Sequence, residues 1–171
     1  MSKFIFLLLT VFISVNSMSQ DKDLPELSFD TYDFPKSIVV DVQGKSLSQL
    51  KAKIQNWLDD YYTESTLLNC KFSDQTFTIT GLENRLLEVK NLTSDLQYQL
   101  KISLRDNKYR FKVLSISYSY YTEFRPIANV NLINDEIIKR DLLDSRSTLS
   151  SFFKDLNLAL YNFIKNDQEE W

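Results

Sequence analysis

Between residues 101 and 112 the sequence places five cations at strand spacing: Lys101, Arg105, Lys108, Arg110 and Lys112. Asp106-Asn107 sits among them, and both residue types tolerate the backbone of a tight turn. A two-residue turn there sets Lys101, Ser103 and Arg105 beside Lys112, Arg110 and Lys108 on one face, with Asp106 the only acid in the turn. Lys101 then lies opposite Lys112, and like charges opposed across a ladder cost roughly 0.2–1 kcal/mol. Such a face could bind an acidic ligand: a lipid head group, a glycan or a partner protein. It could equally be a solvated strand face, with acids from residues 21–33 or from the connection after residue 121 lying over it.

Other residues offer less. The chain has no histidine, one cysteine and two glycines in 171 residues. That composition excludes Ser-His-Asp and Cys-His nucleophile systems, imidazole metal sites and glycine-rich phosphate loops. It also excludes a disulfide framework or a cysteine-rich metal site. Asp59-Asp60 and Glu169-Glu170 are adjacent acids, and adjacent side chains on a helix diverge, so Asp59-Asp60 is poorly placed to share a proton. The run Tyr118, Tyr120, Tyr121 could stack on a sugar or base, or pack at a sheet edge. No catalytic residue, cofactor or metal ligand emerges, and the chain reads as a non-enzyme.

Export is written at the amino end. Lys3 precedes the apolar run Phe4 to Ile13, and Ser17 and Ser19 follow at the −3 and −1 positions of a cut before Gln20. This is the order of a secretory signal peptide, too short to span a bilayer, which needs about 20 apolar residues. No cysteine lies near the cut, so the expected product is periplasmic or extracellular and not a lipoprotein, with no stable membrane insertion after cleavage. The mature chain carries 19 basic and 23 acidic side chains, which argues against a general nucleic-acid binder. Residues 20–35 read as an acidic, solvated leader and residues 167–171 as an acidic tail.

Strands and helices must position the cations. Ile38, Val40 and Val42 predict a strand over 37–43. Ser46 and Gln49 have capping-box spacing, and Leu47, Leu50, Ile54, Trp57, Leu58 and Tyr61 form the apolar stripe of a helix. Leu68, Cys70 and Phe72 pair across a turn at 73–75 with Phe77 and Ile79, which makes Cys70 a small core residue. Residues 82–93 fit a short strand, a bulged continuation or a loop. Leu96 to Leu104 and Tyr109 to Val113 alternate cleanly across the Asp106-Asn107 turn. After Val113 the alternation changes phase, so a single-residue bulge near Val113-Leu114 is needed to return Ile116 and Tyr118 to the apolar face, opposite Tyr98 and Leu96. A long connection, 122–146, with a short helix over 135–143, leads to a final helix capped by Ser145 or Ser147. Its stripe is Leu149, Phe152, Phe153, Leu156, Leu160, Phe163 and Ile164.

The expected order is β-α-β-β-β-β-α: a two-layer α+β domain over 36–166, with a curved antiparallel sheet and both helices on one face. From Lys36 to Tyr121 the chain resembles a secreted bacterial family of unknown function described as having a TATA-box-binding-protein-like fold. The resemblance rests on IVVDVQGKS (38–46), LKAKIQNWL (50–58), FTITG (77–81) and YQLKISLRDNKYRFKVLSISY (98–118), with Lys108-Tyr109-Arg110 its most family-like stretch. The family usually has glycine in the turn where this chain has Asp106-Asn107. The resemblance implies the fold and export but no activity, and a fold label brings no DNA binding with it. The function expected is an exported, non-catalytic binding or interaction module of the cell envelope, acting through the open sheet face on an envelope protein or acidic ligand. The alternative is a carrier holding a small apolar ligand between sheet and final helix, in a cavity lined by Phe152, Phe153 and sheet aromatics.

Overall fold

A computed structural model describes residues 24–128 and 130–166. The expected signal peptide over 1–19, the start of the leader and the tail over 167–171 lie outside the described residues.

The elements run β1 (Lys36–Asp41), α1 (Leu47–Tyr61), β2 (Leu67–Ser73), β3 (Thr76–Val89), β4 (Leu92–Arg105), β5 (Lys108–Tyr120), β6 (Glu123–Pro126), a 3-10 turn (Val130–Leu132), α2 (Glu136–Asp144) and α3 (Arg146–Lys165). The fold is the expected α+β, with an antiparallel sheet in the order β1-β5-β4-β3-β2. The short strand β6 pairs with β5 beyond β1. Strands β2 to β5 are the expected meander, and β1 closes beside β5.

The helices bury one sheet face. In α1 the Ser46–Gln49 capping box is formed, and Leu50, Ile54, Trp57 and Leu58 are buried. In α3 the buried stripe is Leu149, Phe153, Leu156, Asn157, Leu160 and Ile164. Asn157 belongs in this stripe because its Oδ1 accepts a 2.8 Å bond from the Tyr109 hydroxyl, which satisfies both buried polar groups. Ser145 stands at the amino end of α3 without a side-chain cap; its hydroxyl donates instead to the Asp141 carbonyl at 2.7 Å.

The bulge lies where the phase change placed it. Leu100 pairs with Val113 but Gln99 pairs with Ser115, so Leu114 is the extra residue, and Tyr98 and Leu96 face Ile116 and Tyr118. Ile116 is 1% exposed.

The structure decides four points of the expectation. Of the short strand, bulged continuation or loop expected over 82–93, residues 82–89 are the bulged continuation of β3, with Arg85 at φ 58 and a register shift between Glu83 and Leu87. A tight turn at Lys90-Asn91, both at positive φ, then starts β4 at Leu92. The 122–146 connection is more ordered than expected, since it holds β6 as well as α2. Asp135 caps α2 by accepting from the Ile137 and Ile138 amides, and the Lys90 ammonium meets it at 2.6 Å. The Lys90 hydrogen bond, with help from the Ile138 amide, holds the Asp135 carboxyl below its usual range.

The leader is the third change. Leu27, Phe29 and Tyr32 are buried rather than solvated. Phe29 stacks on Phe153 with ring centroids 5.3 Å apart, and Tyr32 donates to the Leu142 carbonyl. Acids outnumber these apolar residues in sequence, yet the described acids of the leader are exposed: Glu26 pairs with Lys154, and the Asp30 carboxylate accepts from the Ser28 hydroxyl. The fourth is Cys70, which shares a face with Ile79 as expected but is exposed, because β2 is the outer strand of the sheet.

Candidate binding face

The Asp106-Asn107 turn is anchored by its own side chains. Asp106 Oδ1 accepts from the Leu47 amide at 2.7 Å, at the start of α1. Asn107 Oδ1 accepts from the Gly44 amide at 2.9 Å, and Asn107 alone of the two has positive φ, at 64°. Backbone bonds from Val42 to Asn107 and from Asn107 to Lys45 complete the clamp. This accounts for Asp-Asn here: glycine would satisfy the backbone but would leave the Leu47 amide at the helix start and the Gly44 amide in the turn before it without these partners.

The clamp and the Leu114 bulge fix the register of the open face. Arg105 faces Lys108, Ser103 faces Arg110 and Lys101 faces Lys112. All five sequence-predicted cations therefore share the face turned away from the helices. Row by row across the sheet, the neighbours are Asp41–Lys108–Arg105, then Val39–Arg110–Ser103–Thr76, then Ser37–Lys112–Lys101–Thr78–Lys71. Lys71 is a sixth cation that the sequence reading omitted. Its alternation with Cys70 and Phe72 is the signal that places it on this face.

Among the described residues, none of these six side chains lies within 4 Å of a carboxylate. Of the described acids expected to cover it, Glu26 pairs with Lys154 on α3, and Asp135 and Asp141 serve the Lys90 turn and α2. The like-charge pair Lys101–Lys112 is thus uncompensated within the described fold, at a cost of some tenths of a kcal/mol or more.

The next row is neutral and hydrogen-bonding: Ser115–Gln99–Thr80–Asn69. Beyond it come Ser117, Gln97 and Leu82.

The remaining candidates are accounted for by packing. Tyr118 is buried, Tyr120 carries the Arg125 guanidinium 4.7 Å over its ring, and Tyr121 is exposed in a turn at φ 55. These three do not form one platform. Asp59 and Asp60 are exposed on α1. Although Cys70 as a residue is exposed, partial burial of its thiol pushes the pKa up, and the nearby Asp59 charge adds to that, both away from the thiolate form. A polar cleft of about 330 Å³ lies between the end of β3 and the α2–α3 junction, lined by Glu88, Asp141 and Asp144 among others. The Asp141 carboxylate already accepts from the Lys90 amide and the Arg140 guanidinium. Among the described residues no group of three or more His, Cys, Asp or Glu is placed to hold a metal ion.

Where the carrier reading places its cavity, the described side chains around Phe153 pack against one another. Phe153 packs against Phe29, Tyr98 and Phe152, with ring centroids 5.0 to 5.7 Å apart. The leader, against the expectation that it is solvated, supplies one of these rings, Phe29.

A six-stranded antiparallel sheet with one face under helices and the other open defines the fold as TATA-box-binding-protein-like. Two solved structures share it. A TBP-like protein from Parabacteroides distasonis is 17% identical, with a TM-score of 0.57 over 80% of this chain and 95% of that one. A DUF4468 family protein from Bacteroides ovatus is 16% identical, with a TM-score of 0.60 over 86% of this chain and 94% of that one. No protein-family model matches the chain, and no curated protein matches it. The fold implied by the sequence resemblance is the fold found.

Proposed function

We propose that the chain is an exported, non-catalytic binding module of the cell envelope whose open sheet face takes an anionic partner. The observation that carries this is the set of six cations, Lys71, Lys101, Arg105, Lys108, Arg110 and Lys112, on one exposed face with no carboxylate within 4 Å among the described residues. A field of one sign raises the local concentration of the opposite charge and speeds its capture. Export rests on Lys3, the Phe4–Ile13 run and the small residues Ser17 and Ser19. Among the described residues no helix is long and apolar enough to cross a membrane.

Titrating the purified chain with inorganic polyphosphate, at low and then physiological salt, tests the face. Binding that weakens as salt rises, and that vanishes in the triple variant Lys101→Glu, Arg110→Glu, Lys112→Glu, is the expected result. Binding unchanged by the three reversals refutes the proposal. The mass of the chain recovered from its host's envelope fraction tests export: the reading requires a first residue of Gln20.

A further inference from the structure

We infer that the anionic partner of the open face is an acidic polysaccharide; the inference rests on the binding function proposed above and names its ligand class. The argument comes from what adjoins the cations. The row Ser37–Lys112–Lys101–Thr78–Lys71 is followed by the row Ser115–Gln99–Thr80–Asn69. Every member of the second row is a hydroxyl or an amide, and none is charged. Successive same-face positions on a strand are roughly 6.8 Å apart and neighbouring strands roughly 4.8 Å. A ligand lying over both rows therefore meets positive charge along one edge and neutral donors and acceptors along the other.

Polymeric acidic sugars present that pairing: carboxylate, sulfate or phosphate groups on rings that also carry hydroxyls. Ammonium and guanidinium groups bind the anions, and the Gln99 and Asn69 amides and the Ser115 and Thr80 hydroxyls can exchange hydrogen bonds with sugar hydroxyls. Ser115 and Gln99 are only loosely engaged with one another, at 3.5 Å, and Asn69 is exposed, so these groups are free to turn to a ligand.

Other polyanions fit the surroundings less well. Patches that hold anionic membranes add apolar side chains that enter the head-group boundary. The large apolar side chains at the cationic rows are two, Val39 at one margin and the half-buried Leu114 of the bulge, and they form no continuous apolar patch there. Single-stranded nucleic acids call for aromatic stacking platforms, and the cationic and neutral rows hold no aromatic side chain.

The test measures affinity of the full mature chain for four probes: polygalacturonate, uncharged dextran, inorganic polyphosphate and phosphatidylglycerol vesicles. The expected result is binding to polygalacturonate, with none to dextran and at least tenfold weaker binding to vesicles. The variant Gln99→Ala, Thr80→Ala should weaken polygalacturonate binding fivefold or more and leave polyphosphate binding within twofold. Thermal melts establish that the variant is folded; should it melt early, Asn69→Ala at the exposed end of the row is the substitute and is expected to weaken polygalacturonate binding twofold or more. Equal affinity for polyphosphate, vesicles and polygalacturonate, with no effect of the neutral-row variants, overturns the polysaccharide inference but leaves the anion-binding face standing. No binding to any charged probe overturns both.

Discussion

The ring of Tyr98 lies over Gly81, its partner across the β3–β4 ladder, so closely that a methyl group on residue 81 would overlap the ring. Glycine inside a strand ordinarily weakens it, through lost entropy and missing packing. Here the bare backbone makes room for a phenol that reaches the Tyr62 hydroxyl at 3.0 Å. Gly81→Ala should therefore destabilise the fold by about 1–3 kcal/mol, as overpacking does, although alanine suits a strand better than glycine. Urea denaturation measures it. Tyr98→Leu in the same chain should cost less in the Gly81→Ala background than in the wild type, because the two residues compete for one space. Strict additivity would show that the ring is not the obstacle.

The Leu114 bulge decides which side of β5 faces the core. Without it, Ile116 and Tyr118 would turn to the open face, since a one-residue slip exchanges the faces of every position beyond it. Ile116→Ala should cost about 2–5 kcal/mol, whereas Ser115→Ala, one position away on the open face, should stay within about 0.5 kcal/mol. Deleting Leu114 removes the extra residue and keeps Leu100 opposite Val113, Gln99 opposite Ser115 and Tyr98 opposite Ile116, so the variant should still unfold cooperatively with Ile116 and Tyr118 in the core. Loss of cooperative unfolding in the deletion variant would show that the bulge is required for more than the register.

The bulge was legible because a break in alternation is a pattern in itself: Tyr109, Phe111 and Val113 are in one phase, Ile116 and Tyr118 in the other. The five cations were legible for the same reason, once a two-residue turn had set their register. The end of β3 was not, because Arg85 at positive φ and the shift between Glu83 and Leu87 destroy the period over too few residues for it to re-establish itself. Cys70 shows a different limit. Alternation gives the face of a residue, but its burial depends on what lies beside the strand, and β2 has no outer neighbour among the described residues. The leader misled through composition. Its charge count outweighed Leu27, Phe29 and Tyr32, whose partners Phe153 and Leu142 lie more than a hundred residues away.

That leader supplies the third prediction. Phe29 is 1% exposed, stacked on Phe153 and edge-on to Phe34 at 6.4 Å. Phe29→Ala should lower stability by about 3–5 kcal/mol, the cost of emptying an aromatic core site. A chain beginning at Pro35 should be destabilised further, since it also loses Leu27 and the bond from Tyr32 to Leu142. A leader acting as a tether would leave the denaturation midpoint unchanged in both variants, so the experiment separates the two descriptions directly.

Alkaline pH should unfold the protein through its buried phenols. Burial pushes Tyr32 up to about 12. Burial likewise drives Tyr62, Tyr98 and Tyr109 far above the ordinary value of 10.0, with the Tyr62 shift reinforced by Tyr98. Each hydroxyl has a partner inside the fold: Leu142 for Tyr32, Asn157 for Tyr109, and one another for Tyr62 and Tyr98. In the folded state these groups stay neutral where the unfolded chain has lost the proton. The unfolded state then binds fewer protons, and stability falls with rising pH. The contribution is complete below pH 10 and is lost progressively as pH rises through 12 and beyond. Tyrosinate absorbance and near-ultraviolet circular dichroism, followed together from pH 9 upward, should show these four phenols ionising in one step with the loss of tertiary structure. Ionisation of all four with the dichroism intact would mean that their hydroxyls reach solvent without unfolding.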